Sequence, residues 1–122
     1  MIGTPSKYTK NKLIGYNSPE FLKEGSYFAN LKDNSKIVAS LYVNKYHESY
    51  IIRDLFVLES ERGKGYGKKI MKEILEFLKF KNKRIILYVD PKNKIANSLY
   101  EKLGFKLDKK NSAYGDRLIF IN

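Results

Sequence analysis

Leu55-Phe56-Val57-Leu58-Glu59-Ser60-Glu61-Arg62-Gly63-Lys64-Gly65-Tyr66-Gly67-Lys68-Lys69-Ile70-Met71 reads as a buried strand, a short glycine-rich basic loop and the start of an amphipathic helix. Glycines alternate at 63, 65 and 67. With no Cβ there, a backbone can approach a ligand closely. The loop opens into a helix, whose first N–H groups and positive dipole end face whatever sits before it. Arg62, Lys64, Lys68 and Lys69 add fixed positive charge. Physical chemistry alone makes this a phosphate cradle.

The spacing excludes two common cradles. A P-loop needs glycine, four residues, then Gly-Lys-Ser/Thr. Counting back from Gly67-Lys68 puts Arg62 at the first glycine and Lys69 at the hydroxyl position. The dinucleotide fingerprint Gly-x-Gly-x-x-Gly fits Gly63 and Gly65 but meets Lys68 at the third glycine.

Outward from this stretch, the pattern alternates between strand and helix. Upstream, residues 26–31 and 36–44 read as a hairpin around the polar turn Asp33-Asn34-Ser35. Ile37, Ala39, Leu41 and Val43 fall on one side of the second strand; Val38, Ser40, Tyr42 and Asn44 fall on the other. Lys45-Tyr46-His47-Glu48 reads as a connection, and residues 49–58 as a third antiparallel strand. Residues 1–12 form a polar lead-in, with a first strand reaching Leu13-Ile14. Ser18-Pro19-Glu20 caps a short helix that Gly25 ends.

Downstream, a helix over 66–80 carries Ile70, Met71, Ile74, Leu75 and Leu78 on one stripe. Arg84-Ile85-Ile86-Leu87-Tyr88-Val89 is apolar enough for a strand covered on both faces. Strand, helix and strand make a βαβ unit, so the strands at 49–58 and 84–89 should be parallel. After the turn Asp90-Pro91-Lys92-Asn93, a second helix runs over 94–103 with Ile95, Ala96, Leu99, Tyr100 and Leu103 on one face. Gly104 follows as its C-terminal glycine. Phe105-Lys106-Leu107 and Arg117–Ile121 form a last strand pair around a polar loop with Tyr114 and Gly115.

Composition bounds the function. The 122 residues suit one domain with a core over 26–110, and 43% apolar content argues against disorder. A net charge of +11 favours anionic partners: a nucleotide cofactor, nucleic acid or an acidic surface. Solvated lysine faces explain the same charge blandly. Without cysteine there is no disulfide framework, thiol nucleophile or thiolate metal site, and the lone His47 excludes a multi-histidine centre, so no metal is expected. No apolar run approaches the ~20 residues that span a bilayer, and Met1–Lys12 lacks a signal-peptide core. These features lead us to expect a cytoplasmic protein without a membrane partner.

Arg62-x-x-Gly65-x-Gly67 at a strand-to-helix junction is followed by Asn93-x-x-Ala96-x-x-Leu99-Tyr100-Glu101-Lys102-Leu103-Gly104-Phe105. Together, in this order, they resemble the GNAT family of acyl-CoA-dependent N-acyltransferases, over residues 26–110. The resemblance implies a mixed α/β fold: a mostly antiparallel sheet with a splayed central parallel strand pair flanked by helices, its N-terminal part shortened. It implies acetyl-CoA as co-substrate, with an amine acceptor, small molecule or protein. The backbone from Gly63 through Lys64, Gly65, Tyr66 and Gly67 to Lys68 would hold the pyrophosphate, with Arg62 opening the motif. The family's fourth strand is bulged and splayed from the fifth, so the backbone of Phe56, Val57 and Leu58 would pair with the pantetheine arm. The N–H near Val57 or Leu58 would polarise the thioester carbonyl.

Tyr100 occupies the position of the family's general acid, near the CoA sulfur. A core aromatic is its plainer role. Asn93 is a cofactor contact, a helix N-cap, or both. Some family members place a Glu on the fourth strand as base, where this chain has Arg53. Asp54 follows, on the opposite strand face by alternation. Glu48, His47 and Tyr50 lie nearby, and a water relay or deprotonation of the amine in solution is an equal alternative. Arg53 is read as a salt-bridge former, or else as a contact for an anionic acceptor. The shortened N-terminal part implies an acceptor site that is open or completed by a second subunit in a homodimer. Two rival functions stand beside the transferase: a non-catalytic acyl-CoA sensor and a basic nucleic-acid-binding module.

Overall fold

The computed structural model describes residues 2–3 and 27–121. The expected strand through Leu13-Ile14, the Ser18-Pro19-Glu20 cap with its helix, and Gly25 lie outside the described residues. Seven strands form one sheet in the order β1-β2-β3-β4-β5-β7-β6. They are β1 (Ile2–Gly3), β2 (Tyr27–Asp33), β3 (Lys36–Tyr46), β4 (Ser49–Val57), β5 (Arg84–Val89), β6 (Phe105–Ser112) and β7 (Gly115–Phe120). Helix α1 (Tyr66–Leu78) crosses from β4 to β5, and α2 (Lys94–Leu103) connects β5 to β6. Among the described residues only β4 and β5 are parallel; every other neighbouring pair is antiparallel.

The helical crossover works because α1 has one apolar stripe. Ile70, Met71, Ile74, Leu75 and Leu78 are all buried, packed with Ala39, Leu41 and Val43 of β3 and Ile85 and Leu87 of β5 in one core. Each such side chain taken from water contributes roughly 1.5–3 kcal/mol. The helix ends at Leu78, where a 3-10 turn over Lys79–Lys81 and the left-handed Asn82 (φ 55°) stop it.

Several element readings need correction. β3 runs on through Lys45 and Tyr46, so the connection to β4 is only His47-Glu48. In β3, Val38 rather than Ile37 enters the core, because the register with β2 shifts between Leu31 and Lys32 and leaves Val38 unpaired. Ile95 is 87% exposed, so the α2 stripe is Ala96, Leu99, Tyr100 and Leu103. β6 continues through the polar run Asp108-Lys109-Lys110-Asn111 as an edge strand, where charge does not prevent pairing.

Two irregularities shape the centre of the sheet. The β4–β5 ladder runs from Ser49↔Arg84 to Ile52↔Leu87 and stops. Beyond it β4 stays with β3 to Val57, while β5 stays with β7 to Val89, so the parallel strands splay. Gly115 permits the β5–β7 approach: its φ is +102°, and a Cβ there would lie 2.6 Å from the Val89 carbonyl oxygen. The second irregularity is in β4. Tyr42 pairs with Arg53 and Ser40 with Phe56, so Asp54 and Leu55 together oppose Leu41. Asp54 takes a left-handed φ of 57° at this bulge.

Candidate active site

The splay opens a cavity of about 370 Å³ between the diverging strands. Arg53, Asp54 and Leu55 of β4, Leu87 and Tyr88 of β5, and Tyr100 of α2 line it. The backbone edge facing the splay follows from one hydrogen bond. The Leu58 amide donates to the Val38 carbonyl at 2.9 Å, with Ala39 opposite Val57. Antiparallel strands alternate their bonding direction residue by residue. Leu58 therefore points its amide at β3, and Val57 turns its amide and carbonyl to the splayed side. Of the two candidates for polarising a carbonyl, Leu58 is engaged within the sheet and Val57 is available. Phe56 shares the Leu58 orientation and pairs with Ser40.

After Val57 the chain makes a 3-10 turn over Glu59–Glu61 and enters the glycine loop. Arg62 folds back: its Nε donates to the Val57 carbonyl at 3.1 Å, and its guanidinium lies 5.8 Å from the centre of the Phe56 ring. Its side chain thus ties the loop to β4. Gly63 and Gly65 both have φ +83° with open space where a Cβ would be, so it is their backbone conformation that favours glycine. Gly65 ends the loop as the N-cap of α1, and no side chain caps the helix. The first helical bond runs from the Lys69 amide to the Gly65 carbonyl at 3.0 Å. The amides of Tyr66, Gly67 and Lys68 consequently have no acceptor within the helix. Gly67 brings the helix against the strand and α2: a Cβ there would sit 3.7 Å from Val57 and 3.9 Å from Leu99.

The surrounding side chains brace this loop. Lys64 bonds Glu61 at 3.0 Å, and Lys36 reaches the same carboxylate at 3.6 Å. The Lys64 hydrogen bond is the main reason the Glu61 carboxyl titrates below its usual range, and the same bond raises Lys64. The Tyr66 hydroxyl donates to Asp33 at 2.8 Å, pinning the helix start to the β2–β3 turn and raising the phenol's pKa. Lys68 is exposed and has no carboxylate partner among the described residues.

Helix α2 presents Tyr100 to the splay. Asn93 is its N-cap: the side-chain oxygen accepts from the Ala96 amide at 3.1 Å, as Ser, Thr, Asp or Asn does at such a position. Gly104 closes the helix at φ +108°. Tyr100 is half-buried, with its ring edge-on to Phe105 at 5.9 Å. Burial pushes its phenol pKa up, so the hydroxyl stays protonated at neutral pH. That hydroxyl makes no hydrogen bond with the described residues.

Strand alternation fails at Asp54. The bulge puts Arg53 and Asp54 side by side on the cavity wall, instead of on opposite faces. Asp54 is open to solvent, yet nearby protein desolvates its carboxyl enough to raise its pKa, while Arg53 pulls it down. Burial raises the pKa of Tyr42, and the Asp54 charge adds to that rise. Asp54-Leu55 before Phe56 carries no local signature of a bulge, so the sequence gives no direct sign of this arrangement. Glu48, His47 and Tyr50 do not line the splay cavity.

The site thus brings together helix-start amides without an acceptor in the helix, a strand edge turned to the splay and a phenol lining the cleft. Residues 4–105 match the model of the Acetyltransferase (GNAT) family. No curated protein sequence matches the chain. Among solved structures, PH1933 from Pyrococcus horikoshii OT3 is 32% identical, with a TM-score of 0.69, covering 81% of this chain and 66% of that one. Escherichia coli ElaA superposes with a TM-score of 0.72 at 18% identity, covering 85% and 74%. The PaiA N-acetyltransferase of Thermoplasma acidophilum, solved with coenzyme A, gives 0.68 at 18% identity, covering 80% and 60%. The chain thus spans less than two thirds of the PaiA and PH1933 chains.

Proposed function

The chain belongs to the GNAT acetyltransferase family, and on that premise we propose that it transfers an acetyl group from acetyl-CoA to a primary amine by direct attack. The observation that carries this reading is the splay itself. The Val57 amide on the β4 edge, a helix start without a side-chain cap and a tyrosine hydroxyl with no hydrogen bond among the described residues converge where β4 and β5 part.

Each residue has a distinct task. The amides of Tyr66, Gly67 and Lys68 hold the pyrophosphate, where several donors and the helix dipole suit a diphosphate. Gly63, Lys64 and Gly65 shape the approach to them. Arg62 holds the loop on the strand through Val57. The Val57 amide, on the edge facing the splay, hydrogen-bonds the pantetheine arm or the thioester carbonyl. Asn93 orients α2, so that Tyr100 faces the leaving sulfur.

Asp54 is the base in this scheme. Its raised pKa suits it to take a proton from the incoming ammonium. The amine nitrogen then bonds the acetyl carbon as the carbon–sulfur bond breaks, Tyr100 donates its proton to the departing thiolate, the second nitrogen proton passes through water to restore the phenol, and Asp54 releases its proton to solvent. No acetyl-enzyme is needed, and no cysteine exists to carry one. Incubation with acetyl-CoA and a panel of primary amines tests the reading. Free thiol and acetylated amine should form in equal amounts; hydrolysis alone, or neither product, would contradict it.

A further inference from the structure

On the sheet face reached from the splay, a second cavity of about 430 Å³ runs along β4 and β5. The register shows how it is floored. Arg53 and Tyr88 stand at the splay end, with Arg117 of β7 paired beside Tyr88. Ile51 and Ile86, directly paired, make the middle. Ser49 and Arg84, also paired, make the far end. Residues two apart share a face, so these three levels form one continuous track. Four strand residues separate its ends, a length of about 13 Å. Arg53, Tyr88 and Tyr114 line both cavities, so the track leads directly into the splay.

Its charge is one-sided. Among the described residues, three arginines line the track and no carboxylate does. Arg117 is bound to Asp108 at 2.6 Å, but Arg84 has no carboxylate partner among the described residues and is exposed. At the inner end a carboxylate joins the arginines, because Asp54 lines the splay cavity beside Arg53. The order along the track is therefore Asp54 beside Arg53 at the reaction centre, then an isoleucine floor, then Arg84 at the far end.

We propose that this track is the acceptor site and that its acceptor is the α-amine of an acidic, extended peptide. This rests on the acetyltransferase reading of the splay. The ammonium sits by Asp54, apolar or backbone atoms cross Ile51 and Ile86, and a carboxylate at the third or fourth residue meets Arg84. A free amino acid is too short to reach both ends. A polyamine would set positive charge against Arg84. Tyr46 and Tyr114, at the β3–β4 and β6–β7 turns, add aromatic walls suited to a peptide backbone.

The test uses tetrapeptides that share an N-terminal alanine and carry glutamate, glutamine or lysine at positions three and four. Binding to the CoA-loaded protein is measured by fluorescence anisotropy, and acetylation by kcat/KM. The glutamate peptide should exceed the glutamine peptide by at least about threefold, as exposed ion pairs allow, and the lysine peptide by more. The gap should narrow with salt. Arg84→Glu should reverse the order while leaving thermal stabilisation by acetyl-CoA in place. Charge-indifferent or lysine-preferring binding would overturn the proposal, as would free glutamate performing as well as the peptide. An oligonucleotide that displaces the acidic peptide at equal concentration would also overturn it, by showing unselective anion binding. These outcomes are separable from failure of the acetyltransferase reading. That failure appears as no acetyl-CoA stabilisation and no acetylation of any amine, whereas peptide selectivity in the binding arm is read without turnover.

Discussion

Leu58 gives its amide hydrogen to the Val38 carbonyl at 2.9 Å, and that bond leaves Val57 facing away from the β3 strand. Amide exchange reads this directly. The Leu58 amide should be protected in the free protein. The Val57 amide should exchange faster and become protected when CoA is added. Equal protection of both before CoA would mean that Val57 is already paired.

Tyr100→Phe should fold as the parent does, because the ring keeps its edge contact with Phe105 and the lost hydroxyl bonds nothing among the described residues. The melting temperature should barely move. Turnover should fall about 10²-fold, the usual size of a general-acid contribution. Since burial raises the phenol above its ordinary pKa of 10.0, the parent should keep its acid form into alkaline solution. An alkaline decline in kcat, if seen, should lie above pH 10 and vanish in the variant. Unchanged turnover would remove Tyr100 from the mechanism.

Asp54→Asn separates activity from stability. The folded protein raises this carboxyl above its ordinary pKa. A raised folded pKa means the protonated form is favoured on folding. That stabilisation is complete below the unfolded carboxylate pKa and is lost as pH rises through the folded value. At neutral pH the charged Asp54 is a burden to the fold. Asn is uncharged and accepts a left-handed φ of 57°. The variant should melt at or above the parent's temperature at pH 7 while losing about 10²-fold in kcat/KM. A clear loss of stability with full activity would reverse the assignment.

Gly65→Ala tests the loop conformation. Open space surrounds the Cβ position, but φ +83° is strained for alanine by about 1–2 kcal/mol. The protein should destabilise by roughly that amount, and stabilisation by acetyl-CoA should shrink. Gly65→Asn should recover part of both, because Asn tolerates this region. Identical behaviour of Ala and Asn would show that something other than φ matters at 65.

The sequence revealed those elements whose burial is one-sided and regular. Helix α1 was legible because one stripe faces the core and the other carries lysine and glutamate. The β4–α1–β5 crossover followed from it. The bulges were not legible, since a period-two reading assumes an unbroken pleat. That assumption misplaced Val38 and Asp54 for the same reason: one extra residue shifts everything around it to the other face. The long β6 was hidden because an edge strand written in Lys, Asp and Asn has no apolar alternation. In the candidate site, the glycine loop and Tyr100 were visible through their motifs. Which strand amide faces the cleft depends on hydrogen-bond parity, which no side chain records.

The most direct measurement of the central claim is a stopped incubation of the protein with acetyl-CoA and an amine, with free thiol and acetylated amine quantified together, beside a thermal melt with acetyl-CoA. The account predicts equal amounts of the two products, strong suppression in Tyr100→Phe, and a stabilisation of about 2.7 kcal/mol at a hundredfold excess over Kd. No melting shift and no acetylated product from any amine would contradict it.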